Sequence, residues 1–196
     1  MKKVLSILLA LLLMSAGAWA EESATPSPAP TDVPEDAAGT VYDLYDFNGE
    51  TMDLQEPYWV QFDSLFKMQM PVLWQNYALT DAQSENGMIA CFGDGTYFMF
   101  VGRAEDTGVY ADMNEYAMTL ALNTNYVSIF LNTFNETEFV CYSDYENNSS
   151  DCAILIPGEG IYTFYFYPVD GNTDFAQAVL ALMNSYTTLE AENGDG

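Results

Sequence analysis

The densest set of potential metal ligands in this sequence lies in residues 144–151, which read Asp-Tyr-Glu-Asn-Asn-Ser-Ser-Asp. Calcium prefers oxygen ligands of these kinds and takes several of them. The stretch lacks the acidic spacing and the glycine of an EF-hand loop. Asn, Asp and Ser also favour turns for backbone reasons alone. We therefore interpret the stretch as a polar hairpin loop and assign no metal ligands, with calcium binding as an alternative.

Two cysteines flank that loop and form the candidate disulfide. If Val140 pairs with Ala153 in an antiparallel hairpin, Cys141 faces Cys152 on one side of the sheet. A cross-strand disulfide is then geometrically possible, whereas export without an oxidant would leave two thiols. Because the chain has three cysteines, at least one is unpaired. Cys91 lies in an apolar stretch, where we expect it to pack as a small hydrophobe.

Catalytic chemistry is restricted by the complete absence of histidine. Ser-His-Asp and Cys-His nucleophile sets and His-ligated zinc are thereby excluded. The sequence also lacks CxxC, GxGxxG and Walker A motifs. Paired carboxylates remain possible among the 29 acids, but a compact domain offers little of the groove that glycoside hydrolysis needs. We predict no catalytic residues, no cofactor and no enzyme, with a carboxylate-based hydrolase as an alternative.

Aromatic residues offer a different kind of site. Three tyrosines and two tryptophans of the main domain could stack on sugar rings: Tyr162, Tyr165, Tyr167, Trp59 and Trp74. Aromatic residues in strands more often form the core and cross-strand pairs. Carbohydrate binding therefore stays an alternative.

Residues 1–20 have the layout of a secretory signal peptide. Lys2 and Lys3 precede an apolar run at residues 4–14, and small residues indicate cleavage near Ala20. That run is too short for a stable membrane span, and no other run is longer. We expect a secreted or extracytoplasmic protein of bacterial-type export without a membrane span.

The charge of the chain restricts the classes of molecule that it is expected to bind. Cleavage removes two of the four basic residues and keeps all 29 acids, so the mature chain is strongly acidic. Phosphate backbones repel such a chain, which excludes nucleic acid as a partner. We expect the partner to be another extracytoplasmic protein.

The composition divides the chain into five parts. A Pro/Ser/Thr-rich linker occupies residues 21–40, and an acidic arm or weak hairpin with Asn48-Gly49 at its turn occupies residues 41–57. A single globular α+β domain is expected at residues 58–189, with an acidic, Gly-rich tail at residues 190–196.

Periodicity places the elements of that domain. Two apolar runs around Asp94-Gly95 predict a hairpin with a two-residue turn at residues 88–101, in the centre of the sheet. A polar loop is expected before it, at residues 75–87. Capping patterns that begin at Asp112 and Asp174 predict helices at residues 112–123 and 174–186. Further strands are predicted at residues 58–62, 65–70, 126–131, 137–142, 152–156 and 161–167.

Several of these strands are apolar at nearly every position, as in Tyr-Phe-Met-Phe-Val at residues 97–101. Continuous apolar runs indicate that both faces of a sheet are covered. The predicted fold class is therefore α+β: a mostly antiparallel β-sheet of about six to eight strands covered by two helices.

One motif resembles a known family. Residues 66–74 read Phe-Lys-Met-Gln-Met-Pro-Val-Leu-Trp, a strand ended by Pro71 with Trp74 shortly after. This is similar to the opening of the PsbP-like (Mog/PsbP-type) α/β/α sandwich, and the order of elements at residues 58–189 also fits. The resemblance implies a largely non-enzymatic domain, as in accessory subunits, protein-binding domains and exported bacterial lipoproteins, with no catalytic residues to carry over. Nothing in the sequence matches the photosynthetic context of the plant members.

Together these patterns predict an exported, non-catalytic binding or accessory domain that binds a protein. The alternative is a module that binds a small ligand, a carbohydrate or calcium. A deep pocket with convergent polar groups would favour the alternative, and an exposed apolar patch would favour the protein partner.

Overall fold

The computed structural model describes residues 41–44, 56–105 and 108–189. The predicted signal peptide, the linker and the acidic tail lie outside these residues, as does the predicted turn at Asn48-Gly49. In chain order the described elements are β1 (Val41–Asp43), β2 (Tyr58–Phe62), β3 (Phe66–Met70), β4 (Gln75–Asn76), α1 (Asp81–Glu85), β5 (Met88–Gly93), β6 (Phe98–Ala104), α2 (Met113–Leu120), β7 (Tyr126–Phe134), β8 (Thr137–Asp144), β9 (Ser149–Ile156), β10 (Gly160–Tyr167), α3 (Thr173–Asn184) and β11 (Thr187–Thr188).

Seven of these strands form one large antiparallel sheet in the order β4-β5-β6-β10-β9-β8-β7. A smaller sheet has the order β1-β2-β3-β11, in which β1 runs parallel to β2 and the other pairs are antiparallel. The predicted α+β class with a mostly antiparallel sheet is confirmed. The second sheet and the short helix α1 are features that the sequence patterns did not indicate.

The large sheet has two different faces, and β10 shows the alternation. Tyr162, Phe164 and Phe166 point to the inner face, where they join one core with the small sheet and α3. From α3, the residues Phe175, Val179, Leu182 and Met183 are buried in that core, as the periodicity predicted. The inner face is therefore closed by a complete second layer.

The outer face carries the residues between these positions. Ile161 packs there with Val140, Tyr142 and Ala153 against Met113 and Leu120 of α2. Helix α2 covers this part of the sheet only, so the outer face is partly open.

The hairpin of β5 and β6 is confirmed, but its predicted two-residue turn is wrong. Gly93 pairs with Phe98, which leaves a four-residue loop. The Asp94 carboxylate accepts hydrogen bonds from the backbone N–H groups of Thr96 and Tyr97, at 2.8 and 2.9 Å. These bonds satisfy the loop backbone and stabilise the wider turn. Strand β6 lies beside β10, the central strand, in agreement with its predicted position.

Two predicted boundaries also change. Asn172, rather than Asp174, caps α3, because its side-chain oxygen accepts hydrogen bonds from the N–H groups of Asp174 and Phe175. The polar loop at residues 75–87 contains β4 and α1, and Thr80 and Gln83 form a capping box at the start of α1. A capping box satisfies two backbone donors, which is sufficient here for a single helical turn.

Candidate binding site on the outer face

The open part of the outer face contains a cavity of about 440 Å³, which we call the outer pocket. Pockets that bind small molecules commonly measure roughly 300–1,000 Å³, so this one falls at the lower end. Its walls come from strands β5 to β10, and its rim from α1 and from the turn between β8 and β9. Its aromatic lining residues are Phe100, Tyr126, Tyr165 and Tyr167.

Cross-strand pairing explains why these side chains meet. Phe100 on β6 pairs with Tyr165 on β10, which pairs with Asp151 on β9, which in turn pairs with Tyr142 on β8. Directly paired residues point to the same face of a sheet. One row of aromatic residues therefore crosses the outer face with a single carboxyl group among them, and Phe100 and Tyr165 of this row line the outer pocket.

Asp144 forms the acidic wall of the outer pocket. One of its carboxylate oxygens accepts hydrogen bonds from the backbone N–H groups of Glu146 and Asn147, and the other accepts one from the Asn147 side chain. These contacts hold the carboxylate in place at the end of β8. They come from neutral donors, so the negative charge of Asp144 is not neutralised by them.

Asp151 is fully buried, with no exposed surface. Within the described part of the chain, neither of its carboxylate oxygens has a hydrogen-bond partner, and the same holds for the nearby Ser149 hydroxyl. Burial raises the pKa of Asp151 to about 8; the Ser149 hydroxyl opposes this shift and the Asp144 carboxylate adds to it. A buried carboxyl group without partners is costly, and it deserves a functional explanation.

The tyrosines around Asp151 are kept in their neutral form. Burial is the main cause of the raised pKa values of Tyr126, Tyr142 and Tyr165, and the Asp151 carboxyl adds to each. These rings therefore present neutral aromatic faces and hydroxyl groups over a wide pH range.

Gly102 allows the Tyr165 ring to lie close to β6. A Cβ atom at Gly102 would be 3.0 Å from Cε2 of that ring, which is tighter than ordinary contact. Tyr165 also lines a second cavity of about 370 Å³, between the α1–β5 turn and α2. The ring thus separates two cavities on the same face.

The predicted register of β8 and β9 is confirmed. Val140 pairs with Ala153 and Cys141 with Cys152, and the two Sγ atoms are 2.9 Å apart as thiols on the inner face. Whether the pair is oxidised in the mature protein stays a prediction. Cys91 is buried in β5, as expected for a packing residue.

The oxygen-rich stretch at residues 144–151 is a shorter loop than predicted. Asp144 ends β8 and Asp151 lies inside β9, so only residues 145–148 form the turn. Among the residues that the structure describes, no three or more His, Cys, Asp or Glu side chains are grouped to hold a metal ion. The strand pairing places the two carboxyl groups on the sheet face instead of around a loop.

The structure brings together only part of the predicted aromatic platform. Tyr165 and Tyr167 line the outer pocket, whereas Tyr162 points to the inner core. Trp74 is buried against Phe175, and Trp59 lies under the Lys67 ammonium group on the small sheet. A platform of all five residues does not exist.

Sequence reasoning missed Asp151 as part of the site. It assigned this residue to a loop, although the predicted register of Val140 with Ala153 already pairs Asp151 with Tyr142. The useful signal is the alternation of Ser149, Asp151 and Ala153 on one face of a strand. An acid at an alternating position between buried neighbours is predicted to have a buried carboxyl group.

Comparisons with known proteins give a likeness of fold. No family model matches this sequence, and no curated protein matches it. The solution structure of cyanobacterial PsbP (CyanoP) from Synechocystis sp. PCC 6803 is similar, with a TM-score of 0.48 and 10% identity over 72% of this chain and 97% of that chain. This is the fold family that the motif at residues 66–74 resembles.

A crystal structure from Bacteroides thetaiotaomicron VPI-5482 is also similar, with a TM-score of 0.39 and 12% identity. That match covers 65% of this chain and 46% of the other. At these identities the likeness concerns the fold alone, so ligands, partners and activity must be inferred from the site itself. No helix among the described residues is long and apolar enough to cross a membrane.

Proposed function

We propose that this protein is an exported, non-catalytic binding domain and that the outer pocket is its binding site. The observation that carries the proposal is the aromatic cavity of about 440 Å³ with the Asp144 carboxylate in its wall and the buried carboxyl group of Asp151 next to the lining residue Tyr165. A concave site with an apolar lining and a few convergent polar groups is the usual form of a ligand site. The signal-peptide pattern of residues 1–20 supports export.

The arrangement of the carboxyl groups supports binding rather than catalysis. A carboxylate-based hydrolase needs two carboxyl groups that reach the substrate from opposite sides. Asp151 has no exposed surface, and the Asp144 oxygens already accept three hydrogen bonds from the adjacent turn. Neither carboxyl group is free to transfer a proton to a bound substrate.

The occupant of the pocket can belong to a free small molecule or to a side chain of another extracytoplasmic protein. Tyr167 is 43% exposed at the pocket, so a group presented by a larger partner can reach it. Aromatic residues are among those that most often anchor a protein partner at an interface. Both occupants use the same site, and the same variants test them.

The test is ligand-detected and protein-detected NMR of the secreted protein with a library of small polar and aromatic fragments. We expect fragments to shift resonances of residues that line the outer pocket, and Tyr167→Ala to reduce these shifts. Tyr145→Ala is the matched control: Tyr145 is 49% exposed in the neighbouring turn and does not line the pocket. Fragments that bind equally to both variants, or only elsewhere on the surface, would refute the proposed site.

A further inference from the structure

The outer pocket has the features of a site for a positive charge. Aromatic rings carry negative charge on their faces and attract cations within roughly 6 Å of the ring centre. Four aromatic residues line the pocket together with Asp144, and the buried carboxyl group of Asp151 is paired across the strands with one of them, Tyr165. An anionic ligand would be repelled by the Asp144 carboxylate in the wall.

Among the residues that the structure describes, none supplies a cation to this site. The basic side chains of the described residues are Lys67 and Arg103, and neither lines the outer pocket. Arg103 is held by Asp63 and Glu159, with nitrogen–oxygen distances of 3.5 and 3.1 Å. These are the two ion pairs found in the described part of the chain, so neither Asp144 in the pocket wall nor the nearby Asp151 has an ionic partner there.

The groups that face Asp151 are neutral or negative: Ser149 on its own strand, Tyr142 and Asp144 on β8, Tyr126 on β7 and Tyr165 on β10. Tyr116 on α2 interacts with Tyr142 and Tyr165. A buried carboxylate needs a cation or hydrogen-bond donors to be stable. A cation in the outer pocket would supply the missing positive charge on the exposed side of this cluster.

We propose, resting on the proposed function, that the outer pocket binds an organic cation, an ammonium or guanidinium group enclosed by Tyr126, Tyr165 and Tyr167 beside Asp144. The net charge of the chain, −25, raises the concentration of cations near the surface and favours their encounter with the site. The source of the group is a free quaternary ammonium compound or the side chain of a basic peptide. The chemistry of recognition is the same for both.

The experiment compares choline with its neutral isostere 3,3-dimethyl-1-butanol, by calorimetry and NMR, in a buffer without organic cations. The two molecules have the same shape and differ in one charge, so their affinity ratio isolates the electrostatic contribution. We expect choline to bind at least tenfold more tightly. A third arm uses a capped Gly-Arg-Gly peptide, whose guanidinium stays charged at every pH used; tighter binding of the peptide would identify a protein-borne source.

Two variants locate the effect. Tyr167→Leu keeps apolar surface and removes the aromatic ring, so choline affinity should fall about tenfold, whereas Tyr145→Leu should leave it unchanged. Asp151→Asn should weaken choline binding several-fold at pH 9 and leave it unchanged at pH 6. The reason is that the pKa of Asp151, about 8, leaves this group uncharged at the lower pH.

The outcomes separate this inference from the proposed function. Equal binding of choline and its isostere at the outer pocket would overturn the choice of ligand and leave the binding site standing. Binding of neutral sugars or of calcium ions alone at the pocket would likewise overturn the choice of ligand and leave the binding site standing. If no cation, isostere or fragment shifts any resonance of the pocket, both proposals fail.

Discussion

The two faces of the large sheet are built from the same strands but differ in closure and in chemistry. On β10 the inner positions are Tyr162, Phe164 and Phe166, all at most 1% exposed, whereas Tyr167 on the outer face is 43% exposed. The inner face is covered by the small sheet and α3, while α2 covers only part of the outer face. A strand that is aromatic on both faces therefore need not be covered on both.

The difference shows how a stable scaffold can carry a costly site. Burial of the inner aromatic rings supplies stability that the outer face does not have to provide. The outer face can then contain an unpartnered carboxyl group, Asp151, which a marginal core could not tolerate. Substitutions on the two faces should therefore differ in their cost to stability.

The largest difference in stability should be found between substitutions at Phe166 and Tyr167, which are adjacent on β10 and point to opposite faces. Phe166→Ala removes a buried ring from the inner core, which should lower the free energy of unfolding by about 3–5 kcal/mol. Tyr167→Ala on the outer face should lower it by less than about 1 kcal/mol. Urea unfolding of both variants gives the comparison. Similar losses at the two positions would show that the outer face is also part of the stabilising core.

The redox state of Cys141 and Cys152 should change the stability of the inner face without any substitution. Cys141 and Cys152 are directly paired and their Sγ atoms are 2.9 Å apart, so a disulfide is within reach if an exported dithiol oxidase acts before folding is complete. Because both thiols are then buried, the state set during export should persist. The free energy of unfolding should be about 2–3 kcal/mol higher for the oxidised form than for the reduced form.

The measurement is the intact mass after alkylation under denaturing conditions, with and without prior reduction. A disulfide predicts one reactive thiol, from Cys91, before reduction and three after it. Three reactive thiols in both samples would show that the pair stays reduced. The inner face would then hold two thiols as packing residues.

Strand positions were predictable from the sequence because the apolar periodicity is strong where burial is complete. The register of β8 and β9 followed from the requirement that Cys141, Cys152 and their apolar neighbours share one face, and it is confirmed. The turn at Asp94 was mispredicted because its carboxylate bonds the loop backbone, which a residue-pair rule for hairpins does not consider.

The outer pocket was harder to predict than the strands around it. Aromatic residues at Phe100 and Tyr165 have the same pattern whether a helix covers them or not. Which part of the outer face stays open depends on where α2 lies, and local periodicity cannot give that position. The alternation along β9 indicates that Asp151 is buried, but its aromatic surroundings follow only from the pairing of three strands, because its cross-strand neighbours Tyr142 and Tyr165 are distant in sequence.

The ionisation of Asp151 should make the stability of the folded protein depend on pH. Its pKa, about 8, is raised above the usual value for an unfolded chain, so the folded protein holds a proton that the unfolded protein releases. This contribution to stability is complete below about pH 4 and is lost as the pH rises through about 8. Asp151→Asn mimics the protonated group and should raise the free energy of unfolding by about 1–3 kcal/mol at pH 9.

At pH 5 the same substitution should raise the free energy of unfolding by less than at pH 9, because Asp151 has by then lost only the part of its contribution that comes from proton release between pH 4 and pH 5 in the unfolded chain. Other carboxyl groups titrate in this range, so the control is Glu138→Gln on β8, which changes an exposed carboxylate in the same way. The decisive quantity is the change in urea midpoint between pH 5 and pH 9 for each variant. Equal pH dependence in wild type and Asp151→Asn would show that Asp151 is ionised in the folded protein throughout.

The smallest effect on stability should come from Gly102, on the outer side of β6. An alanine Cβ would lie 3.0 Å from the Tyr165 ring, so the ring must shift by a few tenths of an ångström. The open outer face gives it room to do so, and the lower chain entropy of alanine offsets part of the strain. Gly102→Ala should therefore change the free energy of unfolding by less than about 1 kcal/mol, while the NMR resonances of the Tyr165 ring shift clearly.

The matched control is Thr163→Ser. Thr163 pairs with Gly102 across the strands and lies beside the same ring, and a serine there leaves the ring contact unchanged. A large loss of stability in Gly102→Ala would mean that Tyr165 is fixed as rigidly as the inner rings, and the two faces would then differ in exposure but not in packing.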